Sequence, residues 1–579
     1  MDMQNVTMEN RKLLHDVFKP SSQEEIDSAL DVLKNNKDAW VQLDLTDRIT
    51  ILDQIKDDLH KYEKEWVAAS MAAKSLDYES MGEAEEWAGV TIAYRQIRFL
   101  RKSLEDIIRY GQPKIPGKIT IRPNGQVVAQ VIPFDLKEKL ALPGIRGEVW
   151  MDPNVSIQDG TIPQASFYRA QNKKGHVCTV LGAGNFSCLV PSDFLYKLFV
   201  EGQVVALKMN PVNEYLGPIL IKVYSSLIEN GYLQILYGSA DEGAYLCNHS
   251  LVDSIHMTGS NKTFEAIVFG TASEAKQRKD SCNPLVTKPF SSELGNISPV
   301  IVIPGPWTDD DVKKQAARIG SWLVPNAGCN CLTPRMIVQM KDWESRNKLN
   351  DEIAVFLSKI STRKAYYPGS IKIHKKFIEA HPQALQLGEP ADGHLPWTFI
   401  TDVDPVNEDM CFTNEPFTSL FSETALEADD VSSFISKAVD FVNNSLWGTL
   451  SATIVVHPKS MKNPEISAAV DSAIENLRYG SIVLNNSGVL DYYLGNTLWG
   501  GYPNTNVYDV QSGIGFVNNP LMFDQPQKSV VYADFNPIAD PFLAGSENSH
   551  LWFRQDTQYN YSPTVGNLFN LLWKAITIK

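Results

Sequence analysis

The sequence predicts an α/β protein built from two doubly wound units, with amphipathic helices ahead of them and a β-arm between. Three observations carry this. From residue 171, short near-continuous apolar runs alternate with helical patterns: HVCTVLGAG, DFLYKLFVEG, QVVALKMN, EYLGPILIKVYSSLIENG, YLQILYGS, SIHMTGS. Strands buried on both faces by crossover helices read this way. A second round starts near residue 298 with SPVIVIPG, DDDVKKQAARIGSWL, RMIVQMKD and DEIAVFLSKI, and closes with ATIVVHP and SIVLNNSG. Finally, 579 residues at 43% hydrophobic content suffice for several cores, so one compact domain is not expected.

Taken in order, SSQEEIDSALDVLKNN opens with a serine cap followed by Glu24 and Glu25, then Ile26, Leu30 and Leu33 at helical spacing. A second amphipathic stripe runs through RITILDQIKDDLHKYEKEWVAASMAAKS. Between 114 and 168 the period changes to alternation, as in KITIRPNGQVVAQVIP and GEVWMDPNVSI, bounded by Pro, Gly and Asn, which predicts antiparallel strands of an inserted arm. The expected organisation is therefore a first α/β domain over 1–113 and 169–288, the arm over 114–168, and a second α/β domain over 289–539. A tail over 540–579 is aromatic and apolar, as in HLWFRQDT and NLFNLLWKAITIK, and is expected to dock.

The formal charge of −15 repels phosphate backbones and anionic membrane surfaces, which argues against a nucleic-acid or membrane partner. MDMQNVTMENRKLLHDVF lacks the apolar core of a secretory leader, and no apolar run reaches bilayer length. A cytoplasmic protein is the expectation. Seven scattered cysteines fit a reducing compartment rather than a disulfide framework. No histidine lies at ligand spacing from Cys329 and Cys331, so no metal is expected.

Chemistry concentrates in NAGCNCLTPR, residues 326–335. Small and polar residues followed by Pro334 put Cys331 on a loop leading into the apolar run RMIVQM. A buried cysteine is ordinarily an inert small hydrophobe; a nucleophilic thiol needs a base or positive surroundings. Glu293, in SSELGNISPVIVIPG, stands just before a wholly apolar strand at the domain junction. Burial there would raise a carboxyl pKa and suit it to general-base work.

The run ELGNISPVIV followed by NAGCNCLTPR resembles the aldehyde dehydrogenase superfamily, whose members carry Glu-Leu-Gly-Gly-x-Ser-Pro and then Asn-x-Gly-Gln-x-Cys. The resemblance extends over most of the chain. Trp40, LTDRITILDQIKDDL and AAKS look like the family's first helices, GAGNFSCLVPSDF like its Pro-Trp-Asn-Phe-Pro turn, VVALKMNP like its lysine-bearing strand, and MTGSNKTFEAI like its Thr-Gly-Ser turn. Downstream, NEPFTSL looks like Glu-x-Phe-Gly-Pro, and LWGGYP with SGIG like two further motifs split by an insertion. The resemblance implies a Rossmann-like cofactor domain, a catalytic domain, and an arm that with the tail builds a dimer or tetramer. It also implies Cys331 as nucleophile, Glu293 as base and Asn185 as oxyanion donor. Lys208, Gly259, Ser260, Glu415 and Phe417 would hold NAD or NADP, and Cys329 would be a bystander.

Departures accompany the matches. Pro211 stands where NAD-preferring relatives carry a ribose-binding glutamate, which removes both an acceptor for the 2′-hydroxyl and a charge repelling a 2′-phosphate, so NADP is as open as NAD. Asn296 replaces the motif's second glycine, and Ala183 and Gly184 replace Pro-Trp. The implied reaction is oxidation of an aldehyde to an acid through a cysteine thiohemiacetal and thioester. The alternatives are acyl exchange with coenzyme A and a catalytically silent scaffold.

Overall fold

The computed structural model describes residues 18–157 and 160–577; the amino-terminal run read above as lacking a leader lies outside the described residues. Three long helices come first: α1 (Gln23–Gln42), α2 (Leu45–Lys74) and α3 (Met81–Tyr110). The expected cap is a reciprocal one. Ser22 N–H donates to Glu25 Oε2 at 2.7 Å and Glu25 N–H to Ser22 Oγ at 3.2 Å, satisfying two donors that the helix itself leaves free. Trp40 ends α1 fully buried, donating its indole N–H to Leu198 O at 3.1 Å, with the Arg48 guanidinium stacked on its ring.

The arm holds β1 (Ile119–Ile121), β2 (Val127–Ile132) and β3 (Arg146–Met151), all antiparallel. The first α/β unit follows: β4 (Val177–Leu181), α4 (Leu189–Phe199), β5 (Val204–Lys208), β6 (Leu233–Leu236), β7 (Ser254–Thr258), α5 (Asn261–Phe269) and β8 (Phe290–Glu293). The second contains β9 (Ser298–Val302), α6 (Asp309–Ser321), β10 (Pro334–Met340), α7 (Ser370–Ala380), β11 (Leu385–Leu387), β12 (Trp397–Val403), β13 (Leu420–Leu426), β14 (Ser451–Val455), β15 (Ser481–Leu484) and β17 (Pro526–Tyr532); between the last two, β16 (Gly513–Ile514) returns to the first sheet. Helices α8 (Ser549–Tyr561) and α9 (Val565–Ile576) end the chain.

Among the described residues the first sheet runs β16-β8-β7-β4-β5-β6, and every pair except β16 with β8 is parallel. The chain moves outward from β4 to β6 and then returns to the other side of β4 for β7. That reversal opens a crevice at the carboxyl ends of β4 and β7, where such sheets bind ligands. Register aligns the ends: Leu181 pairs with Lys208 and with Met257, and Thr258 pairs with Glu293. The second sheet runs β1-β2-β3-β17-β15-β14-β9-β10-β13-β12-β11. The arm is thus continuous with it, since β17 pairs antiparallel with β3 on one edge and parallel with β15 on the other.

The tail divides. Helix α8 packs on α3, setting Trp552 and Phe553 in the first unit's core, while α9 touches the short helix Leu136–Ala141 inside the arm. Among the described residues no helix is long and apolar enough to cross a membrane.

Candidate active site

The two sheets face each other end to end. The first contributes carboxyl ends of strands: Gly182–Asn185 after β4, Lys208 closing β5, Gly259 and Ser260 after β7, and Glu293 closing β8. Ser260 caps α5 by accepting from Thr263 N–H at 3.2 Å, so the helix presents its amino end to the crevice. Gly259 N–H donates to Glu293 O at 3.1 Å, tying the turn to the strand that carries the carboxylate. Lys208 is buried with Nζ on Met209 O (3.2 Å) and Gly238 O (2.9 Å); burial lowers its pKa.

The second sheet contributes amino ends. Cys331 precedes β10, and Glu415 and Phe417 precede β13. Three consecutive left-handed residues shape the thiol loop: Asn326 (φ 56°), Ala327 (φ 55°) and Gly328 (φ 74°). A side chain at Gly328 would strike Thr418 O. Left-handed backbone at non-glycine residues persists only where surroundings over-determine it, and here they do. Asn326 N–H donates to Glu85 Oε2 (2.9 Å), its Nδ2 donates to Asn185 O (2.8 Å) and Cys329 O (3.1 Å), and its Oδ1 accepts from Tyr366 OH (2.8 Å). Arg335, fully buried, donates to Thr418 O, Leu420 O and Gly328 O, stapling the thiol loop to the β13 approach.

The two cysteines of the motif part ways. Cys329 turns into the protein, with Sγ 3.4 Å from Phe417 O and 3.8 Å from Ser370 Oγ. Burial pushes its thiol up to about 11. Cys331 turns to the crevice, its carbonyl accepting from Ser298 Oγ at 3.4 Å. Its thiol meets the Glu293 carboxyl. Burial first, and the Glu293 charge next, raise the Cys331 thiol well above its ordinary value. Burial raises Glu293 to about 8, while its hydrogen bonds with Cys331 and Trp499 pull the other way. Glu415 is raised by burial to about 7 against the pull of Arg335. One oxygen each of Glu293 and Glu415 lacks a hydrogen-bond partner. A Cβ at Gly295 would fall on the Glu415 carboxylate, which would have to shift to admit it.

Two cavities meet at this point. The larger, about 970 Å³, is lined by Lys208, Pro211, Gly259, Ser260, Glu293, Glu415 and Phe417 among others. The smaller, about 70 Å³, is walled largely by apolar and aromatic side chains including Phe186, Leu332, Tyr492, Tyr493, Phe542 and Phe553. Asn185 and Cys331 line both. Asn185 Nδ2 donates to Cys329 O at 3.0 Å, which fixes the amide beside the thiol loop. All eight residues singled out in the sequence therefore border the larger cavity, and Cys329 does not.

Sequence reasoning missed the support around them. Glu85 and Glu86 on α3 are buried, paired with Arg363 (3.0 Å) and Lys74 (2.6 Å). Tyr366 bridges Asn185 O and Asn326, and Trp499 reaches Glu293. Charged residues adjacent within a helical stripe were the available signal for Glu85 and Glu86. Asn296, at the glycine position, donates to Ser298 Oγ and Ser451 O at 2.9 Å each, tying the junction to β9 and β14.

Comparison with known proteins agrees with this architecture. Residues 157–356 match the family model described as the aldehyde dehydrogenase family. Among curated relatives, 4-trimethylaminobutyraldehyde dehydrogenase A of Danio rerio is 24% identical over 188 residues, covering 32% of this chain and 34% of the relative. N-succinylglutamate 5-semialdehyde dehydrogenase of Novosphingobium aromaticivorans is 25% identical over 169 residues, covering 29% and 33%. The match spans about a third of the length of these relatives. Solved structures align over most of the chain. An aldehyde dehydrogenase C mutant from Pseudomonas syringae, complexed with NAD+ and octanal, gives a TM-score of 0.61 at 16% identity, covering 90% of this chain and 91% of that one. An NADP-dependent glyceraldehyde-3-phosphate dehydrogenase from Bacillus halodurans, complexed with NADP, gives 0.58 at 16% identity, covering 88% and 92%. The fold is that of the aldehyde dehydrogenases. In sequence the likeness to that family covers residues 157–356.

Proposed function

We propose that this protein oxidises an aldehyde to a carboxylic acid, using NAD or NADP, through a thioester on Cys331. The observation that carries the reading is that Asn185 and Cys331 stand where a large crevice and a small apolar pocket meet. A cofactor on one side and an aldehyde on the other would then share one reacting centre.

The residues of the larger cavity fit a dinucleotide. A helix amino end capped by Ser260 suits a pyrophosphate, Lys208 suits an adenosine ribose, and the unpartnered oxygen of Glu415 suits a nicotinamide ribose hydroxyl. Pro211 in the lining leaves NAD and NADP both admissible.

In the reaction, the Cys331 sulfur gives its proton to Glu293 and adds to the carbonyl carbon, forming a carbon–sulfur bond. The oxyanion of the adduct takes hydrogen bonds from Asn185 Nδ2 and the Cys331 backbone N–H. When bound, the nicotinamide supplies the hydride acceptor that turns adduct into thioester. Glu293, its proton passed on to solvent, then removes a proton from water as the water attacks the thioester. The carbon–sulfur bond breaks, the acid leaves and the thiol is restored. A carboxyl with a pKa near 8 suits both exchanges at neutral pH. Glu293 beside the sulfur also favours water over coenzyme A as acceptor, because a thiol needs no such base.

The smaller pocket supports an aldehyde with a slim, uncharged body. An exposed stripe on α9, Val565, Phe569, Trp573 and Ile576, near exposed Leu136 and Leu140, supports a homo-oligomer. Seven free thiols support a cytoplasmic setting. The test is reduction of NAD and of NADP by the purified protein over a panel of aliphatic, aromatic and semialdehyde substrates, with and without coenzyme A. Reduction without coenzyme A supports the reading; reduction only with it transfers the reading to acyl exchange. No reduction over the whole panel, with an unreactive Cys331 thiol, leaves the scaffold.

A further inference from the structure

A second constellation lies behind the wall of the large cavity. His381 follows α7, and Asp409 caps the short helix Met410–Thr413, which contains Cys411. His381 Nε2 lies 3.0 Å from Asp409 Oδ2 and 3.7 Å from Cys411 Sγ. One donor atom from each residue lies within 4.8 Å of the other two.

We propose that His381, Asp409 and Cys411 form a three-ligand site for a zinc-like divalent transition-metal ion. Bonds of about 2.0 Å to nitrogen and oxygen and about 2.3 Å to sulfur, arranged tetrahedrally, set ligand atoms roughly 3.3–3.6 Å apart. The two separations given above bracket that range. The supporting shell is also present. His381 Nδ1 faces Phe377 O at 2.9 Å, so a ring N–H donated there leaves the Nε2 lone pair turned to the other two ligands. Asp409 Oδ1 accepts from Cys411 N–H at 2.7 Å, which frees Oδ2 for an ion and sets the turn that aims the sulfur. Imidazole, carboxylate and thiolate together suit a borderline ion such as zinc rather than calcium or magnesium. Asp409 keeps 26% of its side chain exposed, which provides an entry path and room for a water as fourth ligand.

Binding displaces the Cys411 thiol proton to solvent, one proton for each ion. The consequence is mechanical. Ile373, Lys376 and Phe377 of α7, and Met410, Thr413 and Asn414, line one wall of the large cavity, and Glu415 follows directly. An ion held by His381, Asp409 and Cys411 would clamp the end of α7 to that turn, outside the reacting centre.

The experiment uses the full chain with Cys331→Ala, so that the crevice thiol contributes nothing and the outcome is independent of the proposed oxidation. After chelator dialysis the protein is loaded with zinc or with cobalt. Metal is counted by mass spectrometry, and cobalt–thiolate charge transfer is read by near-ultraviolet absorption. About one ion per chain with a thiolate band is expected. Both should disappear on adding Cys411→Ser or His381→Gln and survive Cys329→Ser. Asp409→Asn, which keeps the helix cap, should weaken uptake by about tenfold or more. No uptake by folded protein, or uptake unchanged by Cys411→Ser and His381→Gln, would overturn the site and leave an ordinary histidine–carboxylate pair.

Discussion

The two sheets meet at the crevice with opposite ends of their strands, and the two banks differ in chemistry as well as direction. The first bank offers strand carboxyl ends, glycine turns, a helix amino end and Lys208. These are donors fixed by backbone, suited to holding an anion. The second offers strand amino ends and, with them, Cys331 and Glu415, whose buried acids are raised out of their ordinary ranges. Glu293 closes the first sheet, and only Leu294–Ile297 separate it from the start of the second. The difference teaches that the crevice is a joint product: Asn185 and Glu293 come from the first sheet and Cys331 and Glu415 from the second, so neither sheet alone makes the site.

The largest effect should come from the thiol on the second bank. Cys331→Ala is expected to bring NAD(P) reduction to background while Cys329→Ala retains most of it; equal losses would erase the distinction between the thiols. Next, Asn185→Ala, on the first bank but facing the sulfur, should lower kcat by about 10²–10³, the loss typical of one oxyanion donor. A change in KM with kcat intact would make Asn185 a binding residue instead.

Glu293→Gln should act in two directions. Activity is expected to fall, with the wild type's rise of kcat/KM toward pH 8 flattened, because the base form accumulates as pH rises through about 8. Stability should change the other way. Between about pH 4.5 and pH 8 the unfolded carboxyl has lost its proton while the folded one keeps it, so wild-type stability falls as pH rises through that window. The amide escapes this, and should be more stable than wild type at pH 8 by about 1–3 kcal/mol in denaturant titrations. A less stable variant would mean that the Cys331 and Trp499 contacts outweigh desolvation.

Smaller effects belong to the walls. Pro211→Glu restores an acceptor and a repelling charge on the binding bank, and should shift the ratio of kcat/KM values toward NAD by about tenfold; an unchanged ratio would place the 2′ position elsewhere. Phe553→Ala widens the small pocket from the tail side. It should lower KM for bulkier aldehydes several-fold without altering cofactor affinity, measured by steady-state kinetics.

Much of the fold was legible because its signals are local. Apolar runs alternating with helical stripes marked the strands and helices of the two sheets, and the order of short motifs picked out eight residues that all line the crevice. The arm's strands were legible as strands, but their place as an extension of the second sheet through β17 was not, since that pairing joins residues hundreds apart. Likewise the tail reads as aromatic and apolar, and nothing local says that Phe553 comes to wall a pocket beside Cys331.

By itself, the sequence determined which residue types were available and the local backbone that carries them, because caps, periodicity and glycine turns act over a few positions. Only the tertiary structure decided which cysteine faces the crevice, how far Glu293 is shielded from water, and that His381 meets Cys411. Those depend on burial and on contacts between separate segments. Desolvation, which sets the acidity of the site, exists only once the two sheets have closed on each other.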